Sequence, residues 1–339
     1  MRDFRPYRGA NHASLGLACA LALIAAGCGG GDASEPGAPP VDSVPLREQL
    51  GSLLVSSFHG TTLPGYMKRR LRAGETVGAV LFGGNVSDAA GTRRLTAAIQ
   101  LAAGDDALVM TDQEGGAVSQ IPFADTAEEL ADAGVNVNLA PVADVAQPGS
   151  VMAGRAFAGD VPAEVLAASR ELLDAGVMPT LKHFPGFGRA TENTDDVPVT
   201  IDASRDELET DLQPFRAAIE AGVPLVMASH ALYPALDSEH IASQSPAILR
   251  GLLRDELGFD GVVITDSLEA EAVLARSSVE IAAEQSLAAG ADLLLMTGRG
   301  SWIHVFPHLL RRARTSPALR ARIAESAARV RRLRSGLLD

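Results

Sequence analysis

Short apolar runs alternate with longer segments of helical composition along the chain from about residue 50 onward. Each run is continuously apolar rather than alternating, which is typical of parallel strands that are buried on both faces. Eight strand–helix units in this arrangement predict an α/β fold, namely a (β/α)8 TIM-type barrel formed by a single domain. The runs are residues 52–58, 77–82, 107–111, 135–139, 177–181, 224–228, 261–265 and 291–296.

The segments between the runs carry the signals of helices. Their composition is rich in Ala, Leu, Glu and Arg, and clear examples are residues 163–174, 208–221 and 279–289. Several end at a glycine just before the next strand, as helices often do, namely Gly134, Gly176, Gly222 and Gly290. A doubly wound sheet is the alternative fold. However, Gly83-Gly84 predicts only a turn, and no Gly-x-Gly-x-x-Gly sequence follows the first run.

The first 45 residues are predicted to form a targeting signal and a tether rather than part of the barrel. Three arginines precede an apolar run at 15–26, which is too short to span a membrane and is typical of a secretory signal over residues 1–27. The sequence Leu-Ile-Ala-Ala-Gly-Cys at 23–28 resembles a bacterial lipobox, which implies that Cys28 is lipidated. An ordinary secreted protein is the alternative. Residues 28–45 predict a flexible tether, and 46–339 the barrel with a C-terminal helix.

Composition narrows the classes of function. An apolar fraction of 47% excludes a mostly disordered chain. A net charge of −13 with only 4% aromatic residues argues against binding to nucleic acid. The 2 cysteines cannot form a disulfide framework. Together with the signal and the lipobox-like sequence, the chain is expected to be an extracytoplasmic, lipid-anchored monomer of the cell envelope that contacts the membrane through its N-terminus.

Polar and charged residues follow the apolar runs. In a (β/α)8 barrel the carboxyl ends of the strands form the mouth that holds the active site, so these residues are the candidates for chemistry. Asp and Ser also cap helices, and a buried histidine can simply be satisfied within a core, so both explanations remain open. The candidates are residues 83–85, 112–114, Asn138 with Asp144, Lys182-His183, Ser229-His230 and Asp266.

Several motifs around these candidates resemble glycoside hydrolase family 3, in its single-barrel β-N-acetylhexosaminidase branch. The resemblance covers roughly residues 46–300 and leaves no room for the second sandwich domain of many members. The motifs occur in the order of the family. They are Asp-Gln-Glu-Gly-Gly (112–116), Leu-Ala-Pro-Val-Ala-Asp-Val (139–145), Gly-Arg-Ala-Phe (154–157), Lys-His-Phe-Pro-Gly (182–186), Met-Ala-Ser-His (227–230), Ser-Pro (245–246) and Leu-Gly-Phe-Asp-Gly-Val-Val-Ile-Thr-Asp (257–266).

The resemblance implies a retaining glycosidase that needs no cofactor and no metal. Asp266 corresponds to the nucleophile, and Asp112 to a residue that binds sugar hydroxyls. Arg155, Lys182 and His183 correspond to groups that hold the same sugar ring. The implied substrate is a terminal β-linked N-acetylglucosamine of cell-wall fragments or glycoconjugates. Cleavage of β-glucosides or β-xylosides is the alternative specificity.

The loop after the fifth run departs from the family pattern. Members of this branch carry an Asp–His dyad there for proton transfer, whereas residues 187–198 contain no histidine. Asn193-Thr194-Asp195 stands where the dyad would fall, and Ala117 replaces a usual arginine. Three hypotheses follow. Asp195 or Glu192 acts as the general acid, the protein binds glycan with weak or no turnover, or the acidic residues of the loop have no chemical role.

Other chemistry has weaker support. None of His183, His230 and His240 belongs to a His-x-x-x-His or Glu-x-x-His pair, so a metal site is not expected. Lys182 could form a Schiff base, but the surrounding motifs favour hydrolysis. Residues 308–334 contain nine arginines, and an apolar stripe on the helix at 318–333 predicts a final barrel-covering helix with a solvated basic face. Contact of that face with anionic lipid or polymer is the alternative.

Overall fold

The computed structural model describes residues 44–298 and 300–336. The predicted signal, nearly all of the tether and Cys28 lie outside the described residues. Within the described part of the chain, no helix combines the length and the apolar character needed to cross a membrane.

Eight parallel strands form the predicted barrel. Strand β1 pairs with both β2 and β8, and an isolated bridge between Ile264 and Leu293 connects β7 to β8. Seven strands lie within their predicted apolar runs, and the fifth starts in its run but continues to Phe184, so the fold class is confirmed. The strands are β1 (Leu54–Ser56), β2 (Gly78–Leu81), β3 (Leu108–Thr111), β4 (Val137–Asn138), β5 (Met178–Phe184), β6 (Leu225–Ala228), β7 (Val262–Thr265) and β8 (Leu294–Met296).

Helices surround the strands, and two short hairpins extend the mouth. The hairpins pair Gln113–Gly115 with Val118–Ser119 and Leu232–Tyr233 with Asp237–Ile241. A π-helical segment, Ala247–Glu256, follows β6. The α-helices are α1 (Leu46–Gly51), α2 (Gly65–Arg72), α3 (Ala89–Ala103), α4 (Ala127–Asp132), α5 (Val161–Asp174), α6 (Arg205–Glu220), α7 (Glu271–Leu274), α8 (Val279–Ala289), α9 (Trp302–Thr315) and α10 (Pro317–Ser335).

Local sequence signals mark both ends of the helices. Ser204 and Glu207 form a reciprocal capping box at the start of α6, which satisfies backbone N–H groups that have no partner in the helix. Asp160 is a simple N-cap of α5, since its carboxylate accepts a hydrogen bond from Ala163 N. The predicted glycines after the helices have positive φ, for example +80° at Gly176.

Helix α10 covers the end of the barrel opposite the mouth. Its apolar stripe joins the cluster formed by the barrel strands, as predicted, with Leu319, Ile323, Ala327 and Val330 buried. Arg322 contacts the segment before β8, and Arg334 pairs with Asp106 just before β3. The helix therefore crosses the amino-terminal ends of the strands, and the mouth stays open.

One part of the prediction for this helix is wrong. Arg322 does not belong to a solvated basic face, because it is only 6% exposed and donates to Asp292 Oδ1 at 2.7 Å. Asp292 is fully buried and also accepts hydrogen bonds from Arg254 at 2.6 Å and from Ser326 at 2.7 Å. A single buried carboxylate at the start of β8 thus turns part of the arginine set inward.

This ion cluster has a measurable effect on stability. Replacing Asp292 by Ala removes the buried carboxylate that two largely buried guanidinium groups share, so the free energy of unfolding is expected to fall by about 3–5 kcal/mol. The control is Glu256→Gln, which breaks an exposed pair with Arg205 and should cost less than about 1 kcal/mol. Chemical denaturation measures both, and equal losses would contradict a structural role for the cluster.

Candidate active site

All six predicted catalytic and sugar-binding residues line one cavity of about 300 Å³ at the mouth. Each lies on or just after a strand or on a mouth loop, so the barrel itself brings them together. Apolar side chains such as Phe187 and Met227 form part of the wall. The six residues are Asp112, Arg155, Lys182, His183, Asp195 and Asp266.

Lys182 is the centre of an ion network on one wall. It is 1% exposed and lies 2.6 Å from Asp112 Oδ1 and 2.5 Å from Glu114 Oε1. Burial alone would lower the pKa of Lys182, but the charges of Asp112 and Glu114 outweigh it, so the pKa is raised. Lys182 is therefore a fixed cation, which does not suit the neutral amine that a Schiff base requires.

Glu114 is a structural part of the site to which the sequence assigned no role. It bonds Arg155 in a bidentate manner, at 2.6 and 2.8 Å, in addition to Lys182. Although burial opposes ionisation, these two cations lower the pKa of Glu114 to about 2. The spacing from Asp112 was an available signal, because residues two apart in an extended segment point to the same side.

His183 is oriented by Asp144, a candidate residue to which the sequence assigned no role. Asp144 is fully buried, and its Oδ2 lies 2.7 Å from His183 Nδ1. Its Oδ1 accepts hydrogen bonds from the backbone of His183 and from Phe187 N. This leaves His183 Nε2 facing the cavity, 4.0 Å from Asp266 Oδ2.

Asp266 follows β7 and is held with its carboxylate in the cavity. Ser267 N donates to Asp266 Oδ1 at 2.7 Å. Burial favours the neutral acid, but the positive potential of His183 and His230, the Ser267 N–H and Lys182 outweigh it, and the pKa of Asp266 is lowered. Asp266 is therefore ionised at neutral pH.

His230 is a satisfied core histidine rather than a cavity residue. It is fully buried, its Nε2 donates to the carbonyl of Ser267 at 2.9 Å, and its Nδ1 lies 2.7 Å from Ser243 Oγ. Because the Ser267 N–H holds Asp266, this histidine supports the turn that carries the candidate nucleophile.

The altered loop brings Asp195 to the same cavity. The backbone carbonyl of Asp195 accepts from Glu271 N at 3.2 Å, and that of Thr194 accepts from Ala272 N at 3.0 Å. The loop is thereby joined to the segment that follows Asp266. The residue is solvent-exposed as a whole, yet partial burial of its carboxyl and the charge of Asp266 raise the pKa of Asp195.

Two further residues help to define the site. Glu192, the alternative acid, is exposed and is absent from the cavity lining. Glu269 does line the cavity, and its Oε2 accepts from Thr297 N at 3.0 Å, although the sequence did not single it out. Among the described residues, no three His, Cys, Asp or Glu side chains are grouped so that they could hold a metal ion.

Comparison with known proteins finds relatives among the glycosyl hydrolases. The family model described as "Glycosyl hydrolase family 3 N terminal domain" matches residues 123–333. An uncharacterised secreted glycosyl hydrolase of Arthroderma benhamiae is 32% identical over 301 residues, or 78% of this chain and 85% of that protein. A beta-hexosaminidase of Stenotrophomonas maltophilia is 33% identical over 279 residues, or 72% of this chain and 83% of that protein.

A solved structure agrees as well. The glycoside hydrolase family 3 beta-N-acetylglucosaminidase from Paenibacillus sp. matches with a TM-score of 0.83 at 30% identity. The match covers 87% of this chain but only 63% of that one, so this chain spans less than two thirds of the Paenibacillus protein.

A TIM-type barrel with paired carboxyls in a small mouth cavity, together with these relatives, defines a glycosidase. The chain belongs to glycoside hydrolase family 3. The resemblance drawn from the sequence motifs is thus confirmed at the level of the family.

Proposed function

We propose that the protein is a retaining β-N-acetylhexosaminidase in which Asp266 is the nucleophile and Asp195 the general acid and base. One observation carries this proposal. Two carboxyls line one cavity, and their environments move their pKa values in opposite directions, down at Asp266 and up at Asp195. A nucleophile must be ionised and an acid must hold a proton, so this division matches the two roles.

The reaction then proceeds in two balanced steps. Asp266 attacks the anomeric carbon while Asp195 gives its proton to the departing glycosidic oxygen, which leaves a glycosyl ester on Asp266. Asp195, now a carboxylate, removes a proton from water as the water attacks the same carbon. This step releases the sugar with its original configuration and restores both carboxyls to their starting states.

The remaining wall residues bind the sugar. Asp112 offers acceptor oxygens to hydroxyl groups, and Arg155 offers N–H donors. His183 donates from Nδ1 to Asp144, so its Nε2 is free to accept a hydrogen bond from a sugar hydroxyl. Lys182 fixes Asp112 in place through their 2.6 Å contact. A cavity of about 300 Å³ is at the small end for ligand sites and suits one terminal ring better than a long glycan.

The relatives support the choice of substrate. One is named a beta-hexosaminidase and another a beta-N-acetylglucosaminidase. We therefore infer a terminal β-linked N-acetylglucosamine as the ring that is released. Cell-wall fragments or similar glycoconjugates would supply such ends outside the cytoplasm.

We also infer that the protein is a lipid-anchored monomer outside the cytoplasm, tethered through Cys28. A relative described as secreted supports the compartment. The chain enters the barrel through α1, which immediately precedes β1 and packs against α10 at the end opposite the mouth. An anchor attached there would leave the active site facing away from the membrane.

A panel of aryl β-glycosides tests the proposal. We expect turnover of the β-N-acetylglucosaminide and a covalent glycosyl group on the peptide that contains Asp266, detected by mass spectrometry. The β-glucoside and β-xyloside are the specificity controls, and faster cleavage of either would replace the substrate assignment. Saturable binding without turnover would instead favour a glycan-binding lipoprotein, for which the loop lacking histidine is the motivating feature.

A further inference from the structure

A second cavity lies beside the mouth, between α2 and α9. Its volume is about 200 Å³, and residues that follow β1 and β8 form its wall at the mouth end. Leu295 and Thr297 line the first cavity, whereas Met296 and Gly298 line the second. The two cavities therefore adjoin the same strand end but lie on opposite sides of it.

An aromatic stack orients an arginine at this second cavity. The Arg70 guanidinium lies 3.8 Å from the ring centroid of Trp302 and 5.1 Å from that of Tyr66. Trp302 is itself fixed, because it stacks on Phe306 with a centroid distance of 4.7 Å and donates from Nε1 to the carbonyl of Glu75. A guanidinium held by its flat face keeps its N–H edge available for a ligand.

No carboxylate among the described residues forms an ion pair with Arg70. In this described part of the chain, the Arg70 guanidinium has no hydrogen-bond partner and no ion pair, and burial lowers the pKa of Arg70 although the charge of Glu75 acts in the opposite direction. The described lining of the cavity contains His59 but no carboxylate. Helix α2 adds Lys68, Arg69 and Arg72 and has no acidic residue. The second cavity is thus electropositive, in contrast to the carboxylate-rich first cavity.

We propose that this second cavity is a binding site for an oxyanion, a carboxylate or a phosphate, carried by a saccharide. Arg70 supplies two parallel N–H donors to the oxyanion, and the exposed Tyr66 ring offers an apolar surface to the sugar. The saccharide part of the ligand rests on the proposed function, whereas the oxyanion part rests on Arg70. A glycan with an acidic group would then be retained next to the catalytic mouth.

The single tryptophan of the chain gives a direct readout. Trp302 is the only Trp in the sequence and lines this cavity, so its fluorescence reports binding without any turnover. Glucuronic acid and glucose 6-phosphate, titrated separately at constant ionic strength, are expected to change the emission in a saturable way. Their relative affinities distinguish a carboxylate from a phosphate. Glucose should cause no change, and an equal response to glucose would overturn the proposal.

The matched variants are Arg70→Gln and Arg69→Gln, which are neighbours on α2. Only Arg70 stacks on the rings, so R70Q is expected to weaken the affinity for the acidic sugar at least about tenfold while R69Q leaves it within about twofold. Equal losses would show a diffuse charge effect and overturn the site. If R70Q folds poorly, the difference between the acidic sugars and glucose in the wild-type protein still tests whether the cavity binds an oxyanion. If the enzyme turns over the N-acetylglucosaminide but neither acidic sugar changes the Trp302 emission, this inference is wrong and the proposed function still stands.

Discussion

Asp266→Asn is expected to lower kcat/KM for an aryl β-N-acetylglucosaminide by at least ~10³-fold. An amide in this position can neither attack the anomeric carbon as an anion nor carry a glycosyl ester, and loss of a nucleophile in other hydrolases costs up to ~10⁶-fold. The effect should appear in kcat, because Asp112, Arg155 and Lys182 remain to bind the ring. Steady-state kinetics and mass spectrometry, which should find no trapped intermediate, are the measurements.

The control for this variant lies at the other end of the same strand. Asp260 is exposed just before β7, so Asp260→Asn makes the same chemical change away from the mouth and should keep the wild-type rate. Circular dichroism and a thermal melt establish that both variants are folded. Near-normal activity of the Asp266 variant would remove this residue from the nucleophile's role and with it the two-step mechanism.

The fold could be predicted because each strand and helix is marked by residues within its own segment of the sequence. Buried parallel strands are continuously apolar, so β1 to β8 were all identified from sequence alone, and glycines such as Gly176 marked where helices end. Placing polar residues at strand ends also sufficed to bring Asp112, Lys182 and Asp266 to one mouth. These inferences need only the order of the elements and the rule that a barrel's chemistry lies at one end.

Features that depend on long-range packing were not predictable. The inward turn of Arg322 requires the buried Asp292 on another element, and no pattern within α10 indicates it. Likewise, Asp144 acts on His183 only because β4 and β5 are neighbours in the sheet. The position of Asp195 depends on the hydrogen bond from Glu271 N to its backbone carbonyl, and the periodicity of apolar residues in the sequence does not reveal such a bond.

The loop at residues 187–198 lacks the histidine of the family's Asp–His dyad, so another group must hold the proton if the enzyme is active. A carboxyl can replace an Asp–His dyad only if it holds its proton at the working pH, which an isolated surface aspartate does not. The fixed loop places Asp195 where partial burial and the charge of Asp266 raise its pKa. Glu192, on the same loop, lacks these surroundings.

The pH profile of kcat/KM follows from the same two shifts. The proposed mechanism requires ionised Asp266 and protonated Asp195, so activity is expected to fall at low pH as Asp266 gains a proton and at high pH as Asp195 loses one. Because the pKa of Asp195 is raised, the alkaline limb lies above the range of an ordinary aspartate. Asp195→Asn should abolish that limb, since an amide does not titrate.

Asp195→Asn should also separate substrates by their leaving groups. With a simple alkyl or sugar leaving group, which needs a proton, the rate is expected to fall by ~10²–10⁴-fold. A dinitrophenyl group departs as a stable anion, so formation of the glycosyl ester should continue, and added azide should speed its breakdown because this anion needs no general base. Asp196→Asn, on the exposed neighbour, is the control and should behave as wild type. The contrary result is that Glu192→Gln removes the alkaline limb of the pH profile and Asp195→Asn does not. Glu192 would then be the residue that transfers the proton, and the raised pKa of Asp195 would have no part in catalysis.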